Sequence, residues 1–88
     1  MVETVGEFKA RVNRLRKLYP HWRKGQTFWN AMAFPDPAEA TPGQKKWVQS
    51  LEGPRIAFDP YFDDSKIPAF IDAALKAGVL REDDDAQV

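Results

Sequence analysis

The sequence predicts a small all-α domain of about four short helices with one ordered, aromatic-rich loop. Three observations carry that expectation. Apolar side chains recur at spacings of three and four in several separate stretches; helix-start signals of capping-box type stand at Thr4 and Thr41; and proline or glycine closes each periodic stretch. At 88 residues the chain has room for one domain with one core. An apolar fraction of 43% with 11 aromatic residues (3 Trp, 2 Tyr, 6 Phe) is enough to fill that core and argues against a mainly disordered chain.

Thr4-Val5-Gly6-Glu7 has the spacing in which a threonine hydroxyl covers an amide one turn on and the glutamate reaches back. The first helix is expected over 5–19, with Phe8, Val12, Leu15 and Tyr19 as its apolar stripe and Pro20 as its stop. Pro20-His21 reads as a turn. Trp22, Gly25, Phe28, Trp29 and Met32 then share one arc at about 100° per residue, giving a second helix over 22–33 that ends before Pro35 and Pro37. The stretch from Asp36 to Pro42 is a connector, with one capped turn beginning at Asp36.

Thr41-Pro42-Gly43-Gln44 repeats the capping pattern with proline at the first helical position, and Trp47, Val48 and Leu51 form the buried side of a third helix that Gly53-Pro54 stops. Residues 55–64 keep neither a helical nor a strand period and are expected as an ordered loop strapped across the second helix. Ser65 is placed as cap of a fourth helix, with Ile67, Phe70, Ile71, Ala74 and Leu75 on its core face and Gly78 as terminator. Val79 and Leu80 are expected to fold back on the core. The reading is thus a single helical domain over 1–80 and an acidic flexible tail over 81–88. Aromatic residues 8, 22, 28, 29, 47, 58, 62 and 70 are expected to meet in the core.

The chain has no cysteine, so it builds neither disulfides nor thiolate metal sites, and a cytoplasmic, reducing setting is expected. No basic start leads into an apolar run, and no stretch of membrane-spanning length occurs, so neither a leader nor a membrane partner is expected. Net charge is zero but uneven: residues 1–24 carry 7 Lys/Arg against 2 acids (+5), and residues 59–88 carry 8 acids against 3 bases (−5). Either the two ends face one another or one of them meets a charged partner.

Catalysis has little to work with. His21 is the only histidine and reads as a turn residue, and there is no phosphate loop, nucleophile elbow or His/Glu metal spacing. Asp59, Asp63 and Asp64 miss the alternating-ligand pattern of a calcium loop, so they are expected to form a turn and a helix cap, with neither metal nor cofactor bound. Lys9 and Arg16 flank one edge of the first helix's apolar face and Arg11 and Arg14 the other, as long basic stems of a solvated helix. Nucleic-acid binding through that helix is the alternative function.

Arg23, Gln26 and Asn30, at i, i+3 and i+7, form a polar ridge beside the arc that holds Trp29. Such a ridge either satisfies the protein's own loop or recognises a partner's backbone. Arg23 is expected to pair with Asp59, Asp63 or Asp64, and Gln26 or Asn30 to bond the same loop. The pattern Trp22-Arg23-x-Gly25-Gln26, Asn30, Met32, then Asp59-Pro60-Tyr61-Phe62-Asp63-Asp64 and Ile67-Pro68-x-Phe70, resembles a group of short, mainly uncharacterised bacterial and bacteriophage proteins over residues 20–71. The resemblance implies an origin and no activity. The expected function is a non-enzymatic adaptor, inhibitor or accessory protein, monomeric or a small homo-oligomer. It would bind another protein through Trp22, Arg23, Gln26, Asn30, Tyr61 and Asp63.

Overall fold

The computed structural model describes residues 2–34, 38–51, 60–61 and 63–83. Within them the chain is mostly helical: α1 (Val5–Leu18), α2 (Lys24–Ala33), α3 (Pro42–Ser50) and α4 (Ile67–Ala77), with a 3₁₀ turn at Asp64–Lys66. Two dipeptide strands, β1 (Glu3–Thr4) and β2 (Leu80–Arg81), pair in parallel with Glu3 opposite Leu80 and Thr4 opposite Arg81. The all-α expectation therefore holds, with one short terminal clasp added to it.

Both expected capping boxes form. Thr4 Oγ1 accepts from the Glu7 N–H at 3.0 Å while Glu7 accepts from the Thr4 N–H at 2.9 Å, and Thr41 and Gln44 exchange the same pair of bonds at 3.1 Å. The Thr4 bonds hold the exposed Glu7 carboxyl below its ordinary range, the Thr4 backbone N–H being the largest cause. α4 starts differently from expectation. Asp63, not Ser65, caps the turn that leads into it, its Oδ1 accepting from the Ser65 N–H at 3.0 Å and from the Ser65 hydroxyl at 2.6 Å. Gly78, at φ 80°, ends α4 in the left-handed region, and the Val79 N–H bonds back to the Ala74 carbonyl at 3.1 Å. That reversal delivers Leu80 to the core, where it is 2% exposed.

Phe8, Val12 and Leu15 of α1, Phe28, Ala31 and Met32 of α2, Val48 of α3 and Phe70 and Ala74 of α4 form the core with Leu80. Phe8 meets Phe28 edge-on at 5.7 Å, and Phe70 lies against Trp29 at 5.7 Å and Trp47 at 5.6 Å. Trp22 does not join them. Its ring stacks on Tyr19 at 4.3 Å in the α1–α2 turn, because the helix begins at Lys24 and leaves Trp22 in the turn before it. Residues 36, 53–54, 58 and 62, which sequence reading placed in a connector turn, a helix stop and the core, lie outside the described residues.

One side chain of α1 departs sharply from its expected role. Arg11 is buried, 4% exposed, and is no solvent-facing stem. It occupies the i+3 position of the stripe that starts at Phe8, and all five of its N–H groups find acceptors. Nε and Nη2 hold the two Glu3 oxygens at 3.0 Å each, Nη2 also donates to Gln44 Oε1 at 2.9 Å, and Nη1 donates to the carbonyls of Ala31, at 2.6 Å, and Ala38. Gln44, fully buried, closes the network by donating to Glu3 Oε1 at 2.8 Å. Arg11 thus satisfies a carbonyl in the last turn of α2 while tying β1, α2 and α3 to α1.

Residues 81–83 continue from Leu80 along the N-terminal end of α1. Arg81 donates to the Val2 carbonyl at 3.1 Å, and the Asp83 carboxylate accepts twice from the Gly6 N–H, at 2.9 and 3.1 Å. Arg81 and Asp83, expected in a flexible tail, instead fasten the two ends of the chain together. The negative charge at the first turn of α1 also complements the helix dipole.

Candidate functional site

α2 and the 60–66 segment meet through backbone at closest approach. An alanine methyl built at Gly25 would lie 2.0 Å from the Pro60 carbonyl oxygen, so only glycine admits the loop here. The Gly25 N–H donates to Asp64 Oδ1 at 2.8 Å. That bond fills a gap in the local sequence. Gln26 accepts from the Arg23 N–H at 3.2 Å, as in a capping box, but Arg23 has no side-chain oxygen to return the favour, and Asp64 supplies one from 39 residues away.

Arg23 is exposed and its Nη2 donates to the Tyr61 carbonyl at 2.6 Å, while Gln26 Nε2 donates to the Tyr61 hydroxyl at 3.2 Å. Tyr61 is therefore held at both ends by α2. The acid expected to answer Arg23 is engaged elsewhere in two of the three cases: Asp64 with Gly25, and Asp63 with Ser65. Asp59 lies outside the described residues. Bonds from the Ser65 hydroxyl, then from its N–H, hold the exposed Asp63 carboxyl below its ordinary range.

Asn30 leaves the site. It is 5% exposed, buried on the helix that carries Phe28, Ala31 and Met32 into the core. The remaining five come to one end of the molecule. Trp22, Gln26 and Tyr61 are half-buried, and Arg23 and Asp63 are exposed. His21, exposed, stands edge-on to Tyr19 at 6.4 Å and to Trp22 at 6.2 Å. Gly25 and Asp64 join the two segments most closely; Gly25 was visible in the sequence pattern but not as a contact, and Asp64 was expected as a partner of Arg23, not of the Gly25 N–H. Aspartate at position 64 gave no sign of which remote N–H it serves.

Chemically the face offers an aromatic stack, a guanidinium that holds the Tyr61 carbonyl, and a carboxylate. Among the described residues no three His, Cys, Asp or Glu side chains gather into a metal-binding group, and no helix is long and apolar enough to cross a membrane. The chain matches no known family model, no curated protein and no solved structure.

Proposed function

We propose that this chain is a small non-enzymatic accessory protein, an adaptor or inhibitor of bacterial or phage type acting in the cytoplasm, that docks on another protein through Trp22, Arg23, Tyr61 and Asp63. One observation supports it above the others: Trp22 stacks on Tyr19 outside the core, half-exposed, beside an arginine already oriented by its bond to Tyr61. Tryptophan, tyrosine and arginine dominate protein interface energetics, and rings fixed before contact lose little entropy on binding.

The test is a comparison of purified wild type with Trp22→Ala as bait in bacterial lysate, with Lys46→Ala, an exposed residue of α3, as control. A specific partner should be kept by wild type and Lys46→Ala and lost by Trp22→Ala. With the purified pair, calorimetry should show a loss of about 2 kcal/mol or more, roughly 30-fold in Kd. A partner bound equally by Trp22→Ala, or none retained by wild type, overturns the reading.

A further inference from the structure

α1 carries its charge at opposite ends. Glu7, with Glu3 and Asp83 beside it, marks the N-terminal end, and Arg16 and Lys17 the C-terminal end. No Asp or Glu occurs from residue 8 to residue 35. The other two arginines of α1 are engaged, Arg11 in the buried network and Arg14 with Glu39 at 3.3 Å. Among the described residues Arg16 and Lys17 enter no ion pair. With Asn13 and Pro20 they line one open cleft, and directly beyond it lie the exposed His21 and the Tyr19–Trp22 stack.

We infer that this end of the molecule binds single-stranded polynucleotide, with phosphates on Arg16 and Lys17 and an unpaired base against His21 and the neighbouring rings. Cations set beside accessible aromatic rings are the combination that single strands require, because stacking needs a base whose face is free. Opposing charges act on this end, and the nearer carboxylates are already engaged, Asp64 by the Gly25 N–H and Asp63 by the Ser65 N–H and hydroxyl. The C-terminal dipole of α1 contributes about half a negative charge, which two full cations in its last turn outweigh. The acids at the other end are far enough away: Glu7 and Lys17 are ten residues apart on one helix, about 15 Å, against a screening length of about 8 Å at physiological salt. The inference shares the Tyr19–Trp22 stack with the protein-docking reading but rests on Arg16, Lys17 and His21, so the Arg16→Gln/Lys17→Gln variant separates the two.

The experiment is fluorescence anisotropy with labelled oligothymidylate, oligouridylate and a blunt DNA duplex, at about 50 and about 200 mM monovalent salt. Two to three phosphate contacts should give a log–log salt slope between about −1.4 and −2, so affinity for the single strands falls roughly tenfold over that range. Arg16→Gln/Lys17→Gln should weaken single-strand binding at least fivefold and His21→Ala at least twofold. Lys45→Gln/Lys46→Gln on α3 should leave it unchanged, with circular dichroism confirming that every variant is folded. Oligouridylate binding tighter than oligothymidylate would assign the strand as RNA, and the reverse as DNA; either supports the inference. Absence of binding at the lower salt, tighter binding to the duplex, or binding indifferent to Arg16→Gln/Lys17→Gln overturns it. So does equal, His21-independent binding to polyglutamate.

Discussion

A methyl group at Gly25 probes the seam between α2 and the 60–66 turn more severely than any other single change. Its carbon would sit 2.0 Å from the Pro60 carbonyl oxygen and 2.8 Å from Asp64 Oδ1. Carbon–oxygen contacts settle near 3.3 Å, so the loop backbone must retreat by about 1.3 Å. A retreat of that size breaks the Gly25–Asp64 bond and misaligns those from Arg23 and Gln26 to Tyr61. Losing one charge-assisted bond costs about 1.5–3 kcal/mol and each neutral one about 1, while alanine returns up to about 1 in helix propensity. The expected net loss is about 2.5–4 kcal/mol, or roughly 10–30 °C in Tm for a domain of this size.

The other first-turn glycines supply the controls. Gly43→Ala meets nothing nearer than Thr41 Oγ1 at 3.9 Å and should gain a few tenths of a kcal/mol, up to about 1. Gly6→Ala meets the Asp83 carboxylate at 2.6 Å, but that side chain can swing aside, so a lost cap and a gained propensity nearly cancel. Thermal and urea unfolding of all three variants should rank them Gly43→Ala above Gly6→Ala above Gly25→Ala. A Gly25→Ala variant as stable as Gly43→Ala would refute the close approach.

Arg11→Met should cost about 3–5 kcal/mol, because it strands the Glu3 carboxylate and two carbonyls, and Arg11→Lys should recover less than half of that, since an ammonium cannot reproduce a five-donor fork; urea midpoints measure both. Trp22→Ala should cost well under the roughly 3–5 kcal/mol expected of Phe70→Ala, and equal losses in thermal unfolding would place Trp22 in the core after all. Arg23→Ala should lower Tm more than Lys17→Ala, since the described Arg23 holds the Tyr61 carbonyl; equal melting temperatures would remove that bond's role. Glu7 and Asp63 titrate below their unfolded values of 4.5 and 3.8, so each stabilises the fold above those values, and that contribution is lost as pH falls through the lower folded values. Glu7→Gln/Asp63→Asn should therefore melt with a shallower acid dependence than wild type below about pH 4.5, and parallel curves would contradict the two bonding patterns.

Short-range chemistry made much of this fold legible. Thr4/Glu7 and Thr41/Gln44 lie three residues apart and carry their partners with them, so both helix starts could be read directly. Gly78 acts through its own backbone freedom and was equally visible. What stayed hidden is long-range. Arg11 stands at a core position of its stripe, yet its acceptors come from residues 3, 31, 38 and 44, and no local pattern announces that a cation will be answered there. The β1–β2 pair spans 77 positions with two residues on each side, too few for any period to register. In the candidate site the contact between α2 and the aspartate-rich turn was legible, as was a bond to it from Gln26, whereas the donor that serves Asp64 was not. An arginine beside three aspartates suggests ion pairs, whereas at Asp64 it is a glycine amide that takes the carboxylate, and the guanidinium also holds the Tyr61 carbonyl.

The contact that unites the site is best tested in solution through Gln26 and Tyr61, 35 residues apart in sequence and 3.2 Å apart at Nε2 and Oη. An isotope-edited nuclear Overhauser spectrum should show cross-peaks between the Gln26 side-chain amide protons and the Tyr61 ring protons flanking its hydroxyl. Their absence in a well-dispersed, fully assigned spectrum would mean that α2 and the turn do not meet.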